Sequence, residues 1–313
     1  MIKRIPVLLL LFAALPFVMS SCDDEEPDTL ADIVDTAIAD GRFASLAEAL
    51  TEADLISTLK GGEFTVFAPT DDAFQAFLDA NGFATIQDIP VDVLTQVLLN
   101  HVVAGTVRST DLTDGYVATL AEEASTNNNV SMLIDLSNGV VLNGSTNVTQ
   151  PDVEASNGVI HVVDEVIAIP TVVDLALDNP LFATLVAALT RPDLTADFVG
   201  ILSGAGPFTV FAPTNDAFIA LLDSNDDWNE LGDIDVATLE AVLSYHVVDG
   251  ANVLSSTLSD GQTVTTFGGS TFEISIGDDV TITDGQGGTA VVGPVDVQGG
   301  NGVVHVINAV IIP

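Results

Sequence analysis

The chain has 313 residues, with 45 acidic side chains against 6 Lys and Arg, a formal net charge of −39 and a single cysteine. That charge excludes nucleic-acid binding, because no basic surface exists to displace phosphate counterions. One cysteine excludes an intramolecular disulfide, so every domain must be held by its core.

Lys3 and Arg4 precede an apolar stretch, Ile5 to Val18, that is too short to span a bilayer and is broken by Pro6 and Pro16; Ser20-Ser21 supplies the small residues of a cleavage site. Residues 1–21 therefore read as an export signal. Cys22 follows at once, and Met19-Ser-Ser-Cys22 resembles the lipobox of bacterial lipoproteins, with Met19 in place of the usual aliphatic residue. The alternatives are lipidation of Cys22 and ordinary cleavage beside a chance cysteine. Loss of Lys3 and Arg4 takes the charge from −39 to −41 and leaves Arg42, Lys60, Arg108 and Arg191 as the basic side chains. Membrane attachment then rests on the acyl chains of Cys22, since a bare anionic chain is not drawn to anionic lipid. Residues 22–29 form an acidic linker. Its run Asp23-Asp-Glu-Glu26 resembles the signal that carries some lipoproteins to the outer face of the outer membrane, although in other lineages an Asp there retains the protein at the inner membrane. The remaining acids are dispersed, which suits a solvated surface or weak, loosely bound surface Ca2+.

From residue 30 the pattern is helical. Leu30, Ile33, Val34, Ala37 and Ile38 share a face, with Asp28 or Thr29 as the expected cap and Asp40-Gly41 as the stop; Phe43, Leu46, Ala47 and Leu50 begin a second helix. Phe64 to Phe67 reads as a strand ended by Pro69. Thr70 then caps a helix with Asp71 and Asp72 in its first turn and Phe74, Phe77 and Leu78 on its apolar side. The next helix carries Leu94, Val97, Leu98 and His101. After it come short Val-, Ile- and Thr-rich runs between Asp114-Gly115, Asn138-Gly139 and Asn143-Gly144, which predict antiparallel strands. Val159, His161 and Val163 alternate with Ile160 and Val162, and both sets are mostly apolar, so this last strand is expected to be covered on both faces.

The plan then repeats. Thr171 caps Val172 to Leu177, Asn179-Pro180 breaks the helix, and Phe182, Leu185, Val186 and Leu189 restart it. Phe208 to Phe218 matches Phe64 to Phe74 at a spacing of 144, with Thr214 and Asp216 in place of Thr70 and Asp72. Asn301-Gly-Val-Val-His-Val-Ile307 matches Asn157-Gly-Val-Ile-His-Val-Val163 at the same spacing, and Leu243-Ser-Tyr-His-Val-Val248 matches Leu98-Leu-Asn-His-Val-Val103 at 145. A period this long is a duplicated globular domain, as solenoid and propeller repeats run at about 20 to 50 residues. Two domains are expected, over 30–170 and 171–313, with no separate catalytic domain.

These three blocks, in this order, resemble the two boxes and the intervening Tyr-His motif of fasciclin-like (FAS1) domains. The resemblance covers nearly the whole of residues 30–313 in both copies. It implies an α+β fold, each domain a small β-sandwich or wedge with helices packed on it, in an extracellular or surface-anchored adhesion protein that meets cell-surface or matrix proteins or glycans. The family's adhesion-linked pair falls on Tyr245 and His246; the first copy has Asn100 and His101, without the aromatic hydroxyl. The boxes carrying Thr70, Asp72, His161, Thr214, Asp216 and His305 are expected to be structural.

The same residues form no recognisable enzymatic constellation. His101, His161, His246 and His305 each sit in an apolar run, as core histidines with hydrogen-bonded rings do, and none has another His four residues away. There is no His-Glu-x-x-His, no Gly-x-Ser-x-Gly and no second cysteine for a zinc set. Gly285-Gln-Gly-Gly-Thr-Ala290 fits a dinucleotide-loop pattern but runs into Val291-Val292 instead of opening a helix, so it reads as a turn. The expectation is a non-enzymatic protein with no cofactor and no metal centre. A second class remains, a carbohydrate- or small-ligand-binding component of an envelope uptake system, with the cleft between the two domains as its site.

Overall fold

A computed structural model describes residues 30–313. The expected export signal, Cys22 and the linker 22–29 lie outside the described residues, as do Asp28 and Thr29. The first repeat runs α1 (Ile33–Ala39), α2 (Ala44–Glu52), α3 (Ile56–Lys60), β1 (Phe64–Pro69), α4 (Asp71–Asn81), α5 (Val91–Asn100), β2 (Val102–Ala104), β3 (Gly115–Glu122), β4 (Asn129–Asp135), β5 (Val141–Leu142), β6 (Thr146–Ala155) and β7 (Gly158–Val163). The cap of α1 is Asp32, whose carboxylate accepts the Asp35 N–H at 2.8 Å, and not a residue before it. The start is fixed from outside the helix, because the Ile33 N–H donates to Asn157 Oδ1 at 2.8 Å.

β1 lies between β2, its antiparallel partner, and β7, with which it pairs in parallel at Phe67 and His161. The parallel pairing departs from the expected antiparallel run. An alternating apolar pattern sets which face is buried and carries no sign of strand direction, and the long excursion between β1 and β7 is ample for a parallel return. The full order is β2-β1-β7-β6-β5-β4-β3, with β6 bulged around Gln150 so that the sheet bends back on itself. α1 to α5 cover one face of the central pair through Val66, Ala68, Ile160 and Val162. Phe67 and Val163 point the other way, onto Met132, Ile134 and Leu142. The central strands are thus buried on both sides, and a fully buried Phe contributes about 1.5 to 3 kcal/mol.

The second repeat follows with α6 (Val172–Leu177), α7 (Ala183–Leu189), α8 (Phe198–Leu202), β8 (Phe208–Pro213), α9 (Asn215–Asp223), α10 (Val236–Tyr245), β9 (Val247–Asp249), β10 (Gln262–Thr265), β11 (Thr271–Ile276), β12 (Val280–Thr283), β13 (Thr289–Val291), β14 (Val297–Gly299) and β15 (Gly302–Ile307). Its strands form two four-stranded sheets, β10-β11-β12-β13 and β14-β15-β8-β9. The counterpart of the long β6 is interrupted between β13 and β14, where Gly293-Pro294 stands. β8 and β15 pair in parallel, as β1 and β7 do. The protein is α+β, with helices leading and strands closing each repeat.

Candidate functional site

The closing Asn-Gly of each repeat shows what the repeated motifs do. Asn157 Oδ1 accepts the Ile33 N–H, while its Nδ2 donates to Leu59 O at 2.8 Å and Gly62 O at 3.0 Å. Asn301 makes the same set with Val172 N, Leu202 O and Gly204 O at 2.8, 2.8 and 2.7 Å. One side chain therefore ties the first helix, the third helix and the last strand of its repeat together. The following Gly158 and Gly302 have φ of +148° and +155°, and a Cβ on either would run into the carbonyl oxygen of Phe64 or Phe208. Only glycine lets these backbones meet.

Thr70 and Thr214 cap α4 and α9, accepting the N–H of Ala73 at 3.3 Å and of Ala217 at 3.4 Å. Asp72 and Asp216 lie exposed in the first turn, where a negative charge suits the helix N-terminus. The bridging residue is their neighbour. Asp71 Oδ1 accepts the Ser45 N–H at 2.7 Å and Asn215 Oδ1 the Thr184 N–H at 2.8 Å, linking each capped helix to the second helix of its repeat.

All four histidine rings are used on both nitrogens. His101 donates from Nδ1 to Val97 O at 2.7 Å and accepts the Ile167 N–H on Nε2 at 2.9 Å; His246 does the same with Val242 O at 2.7 Å and Ile311 N at 3.1 Å. Burial holds both rings down at about 4, against the partial opposition of those carbonyls. His161 and His305 have the other tautomer. Their Nε2 donates to Val107 O at 3.0 Å and Val253 O at 2.8 Å, and their Nδ1 accepts the N–H of Asp152 and of Asp296 at 3.2 Å. Burial lowers these two rings as well. A neutral ring with one donor and one acceptor engaged has no lone pair left for a metal.

Tyr245 and Asn100, the equivalent positions before His246 and His101, are also interior. The Tyr245 hydroxyl donates to Thr271 O at 2.7 Å and its ring meets Phe272 edge-on at 5.8 Å. Asn100 donates to Ile167 O and Ala168 O at 3.2 and 3.0 Å and accepts from Thr119 Oγ1 at 3.2 Å. As an interaction motif these four residues require correction: they are buried and bonded within their own repeats, so they present no surface to a partner. An aromatic hydroxyl and an amide serve the same end here, joining the helix terminus to the strands beyond it.

Ser109, Asp152 and His161 make the nearest approach to a catalytic set, duplicated as Ser255, Asp296 and His305. Sequence reasoning missed the Ser and Asp members, although both recur near the repeat spacing. Asp152 and Asp296 have positive φ, 60° and 58°. Each receives both the N–H and the hydroxyl of its serine. The hydroxyl thus points at a carboxylate and the ring at backbone, so the histidine does not face the serine oxygen as it does in a Ser-His-Asp triad. Among the described residues, no group of three or more His, Cys, Asp or Glu side chains converges as a metal site.

What remains is the seam between the repeats, built from residues that do not recur. The Tyr116 hydroxyl donates to Leu175 O at 3.3 Å and accepts from Asn179 Nδ2 at 2.9 Å, and its ring packs on the core of the second repeat. The Gln298 N–H donates to Ser131 Oγ at 3.0 Å in buried surroundings. Asn252 Nδ2 donates to Glu123 Oε2 at 3.0 Å and lies 3.2 Å from Gln298 Oε1. Burial pushes the Glu123 carboxyl up, but donors from Ser125, Thr126 and Asn252 outweigh it and hold the group below its usual range. A cleft of about 730 Å3 opens along the seam beside Tyr116 and Ser131, with Leu133, Leu181, Val295 and Val297 among its walls.

Two α+β modules, tied side by side, with the repeated histidines and closing asparagines turned inward, define a tandem repeat of one domain. The Fasciclin domain family matches residues 41–170 and 180–313, and the chain belongs to that family. Protein sll1483 of Synechocystis is 38% identical over 144 residues, 46% of this chain and 76% of that protein. Human periostin is 31% identical over 257 residues, 80% of this chain but 28% of periostin. Among solved structures, a FAS1 domain pair from the insect cell adhesion molecule Fasciclin I matches with a TM-score of 0.49 and 18% identity, over 90% of this chain and 96% of that one.

Proposed function

We propose that the chain is a non-enzymatic, extracytoplasmic surface-interaction protein, exported by residues 1–21, anchored through lipidated Cys22 and adhering to cell-surface or matrix proteins or glycans. The observation that carries this is that the four histidines, Asn157 and Asn301 and the Ser-Asp pairs are all engaged in holding the fold, which leaves the outer surface to act. Membership of the Fasciclin domain family supports the same reading. That surface is acidic. Among the described residues each of Arg42, Lys60, Arg108 and Arg191 is paired with a nearby Asp or Glu, so the few cations are already answered.

The test uses intact cells. Cells producing the wild type should hold the protein in the membrane fraction and adhere to an abiotic or matrix-coated surface; Cys22→Ala should release folded protein and lower adhesion to that of cells lacking it. Retention and adhesion unchanged by Cys22→Ala would overturn the anchored reading. The cleft along the seam favours a second reading, binding of a small ligand at the envelope, because a preformed concave site with an apolar lining is how such ligands are held.

A further inference from the structure

The cleft differs from the rest of the surface in shape and lining, and its charges are of one sign. Its floor and walls come from both repeats: Tyr116, Val117, Leu133 and Ile134 from β3 and β4, Leu181 from the short turn of helix after Asn179, Pro294 and Val295 from the loop before β14, and Val297 from β14 itself. Leu181 and Val295 are exposed large hydrophobics, and here they stand on the walls of one concave site. The cross-repeat bonds at Tyr116 and Ser131 stand beside it, so the site is formed before any ligand arrives.

Its ionisable lining, apart from the Tyr116 phenol, is Asp114, Asp135 and Asp296, with no Lys, Arg or His among the lining residues. Asp114 and Asp135 share one end, since Asp114 Oδ1 accepts the Leu136 N–H at 2.7 Å and Asp135 Oδ1 the Ser137 N–H at 2.8 Å. Among the described residues no donor reaches the second Asp114 oxygen, while Ser137 bonds Asp135 through its backbone and its side chain. Asp296, on the opposite wall, has both oxygens on Ser255 and adds charge without a vacant acceptor. An apolar trough with two carboxylates in its lining rejects anions, gives neutral apolar molecules nothing to answer the charge, and suits a hydrocarbon body that ends in a cation.

We propose that this cleft binds a small apolar organic cation, its body along Tyr116, Leu133, Leu181 and Val297 and its ammonium or guanidinium between Asp114 and Asp135. The volume is that of sites for ligands of drug-like size, about 300 to 1,000 Å3. The proposal goes beyond surface adhesion and rests on the cleft alone, so it stands or falls separately from the Cys22→Ala experiment.

The experiment titrates the purified protein with 4-phenylbutylammonium, 4-phenylbutanol and 4-phenylbutyrate, by calorimetry and by methyl NMR of Leu181 and Val297. The ammonium should bind at one site with shifts confined to the cleft, the alcohol at least tenfold more weakly, and the carboxylate not at all. Asp114→Asn with Asp135→Asn keeps the acceptors for Leu136 and Ser137 and should bring the ammonium down to the level of the alcohol; Leu181→Trp, at an exposed position, should fill the trough and abolish both. Equal binding of ammonium and alcohol would overturn the role of the carboxylates. Ammonium binding that survives Leu181→Trp, with shifts scattered over the surface, would show an acidic protein gathering counterions and would overturn the site.

Discussion

The Asn301 side-chain oxygen accepts the backbone N–H of Val172 at 2.8 Å across 129 residues of chain, and Asn157 does the same for Ile33 across 124. The first helix of each repeat is therefore held by the strand that closes it. Asn301→Ala strands a buried N–H and two carbonyls, at about 1 to 3 kcal/mol for each unsatisfied group. We expect a lowered urea midpoint with the helix of 172–177 losing hydrogen-exchange protection first. Uniform loss across the second repeat would show that the residue is not a local tie.

Gly302→Ala should be worse than a helix-propensity change. At φ +155° the new Cβ meets the Phe208 carbonyl, so the β8 and β15 pairing must open. Gly261, whose φ is +74°, has open space where a Cβ would go and is the control for backbone conformation alone. Thermal unfolding should show a much larger loss for Gly302→Ala than for Gly261→Ala. Equal losses would assign the cost to φ and not to the close approach.

Acid should destabilise the protein through its histidines. His101 and His246 titrate at about 4 in the fold, against 6.5 for the unperturbed ring, so the unfolded chain takes up those protons first. Their contribution is complete above 6.5 and falls as pH drops toward 4, by on the order of 3 kcal/mol per ring. Asp178 runs the other way, since burial and then Asp174 raise its carboxyl to about 6 and its contribution is lost as pH rises through that value. It is half-buried and single, so the histidines outweigh it, and carboxylates held low by hydrogen bonds, Glu123 and Asp152 among them, add to the loss at the acid end. Urea midpoints between pH 7 and pH 4 should fall steadily, and less steeply in His246→Gln; a midpoint that rises on acidification would contradict the assignment.

His246→Ala at neutral pH removes the ring that joins Val242 to Ile311, and should cost about 2 to 4 kcal/mol for a large-to-small core change with lost hydrogen bonds. Zinc content should be nil before and after. Stoichiometric zinc lost with unchanged stability would reverse the reading of this residue.

The fold was legible where a pattern recurs and where a residue type has one physical use. Thr171, Thr70 and Thr214 could be read as caps because a threonine before a periodic apolar run has few other roles. The inward histidines were legible from their apolar neighbours. Strand direction was not, because Val159 to Val163 has the same alternation in either sense. Asp71 and Asp72 are chemically alike in sequence, and only the position of Ser45 decides which of them bridges. Asn252, Gln298 and Tyr116 have no counterparts in the other repeat and sit in segments that read as loops or ordinary strands, so the seam and its cleft left no local signal.

Tyr116→Phe isolates the seam. It leaves the buried Asn179 amide without its acceptor and frees Leu175 O, at about 1 to 3 kcal/mol, while the ring still packs. Calorimetry should show one unfolding transition in the wild type and partial separation of the two repeats in Tyr116→Phe. Two separate transitions already in the wild type would mean that the seam does not couple them.

The most direct measurement is adhesion of beads coated with the purified protein to intact cells, over a salt series with and without millimolar calcium. A chain of formal charge −39 repels other anionic surfaces, so contact with them needs screening or a bridging cation. Coated beads should adhere above uncoated ones, weakly at low ionic strength and more strongly with added salt or calcium. Coated beads that never exceed uncoated ones under any of these conditions would contradict a surface-interaction function, and adhesion strongest at low salt without calcium would contradict the part played by charge.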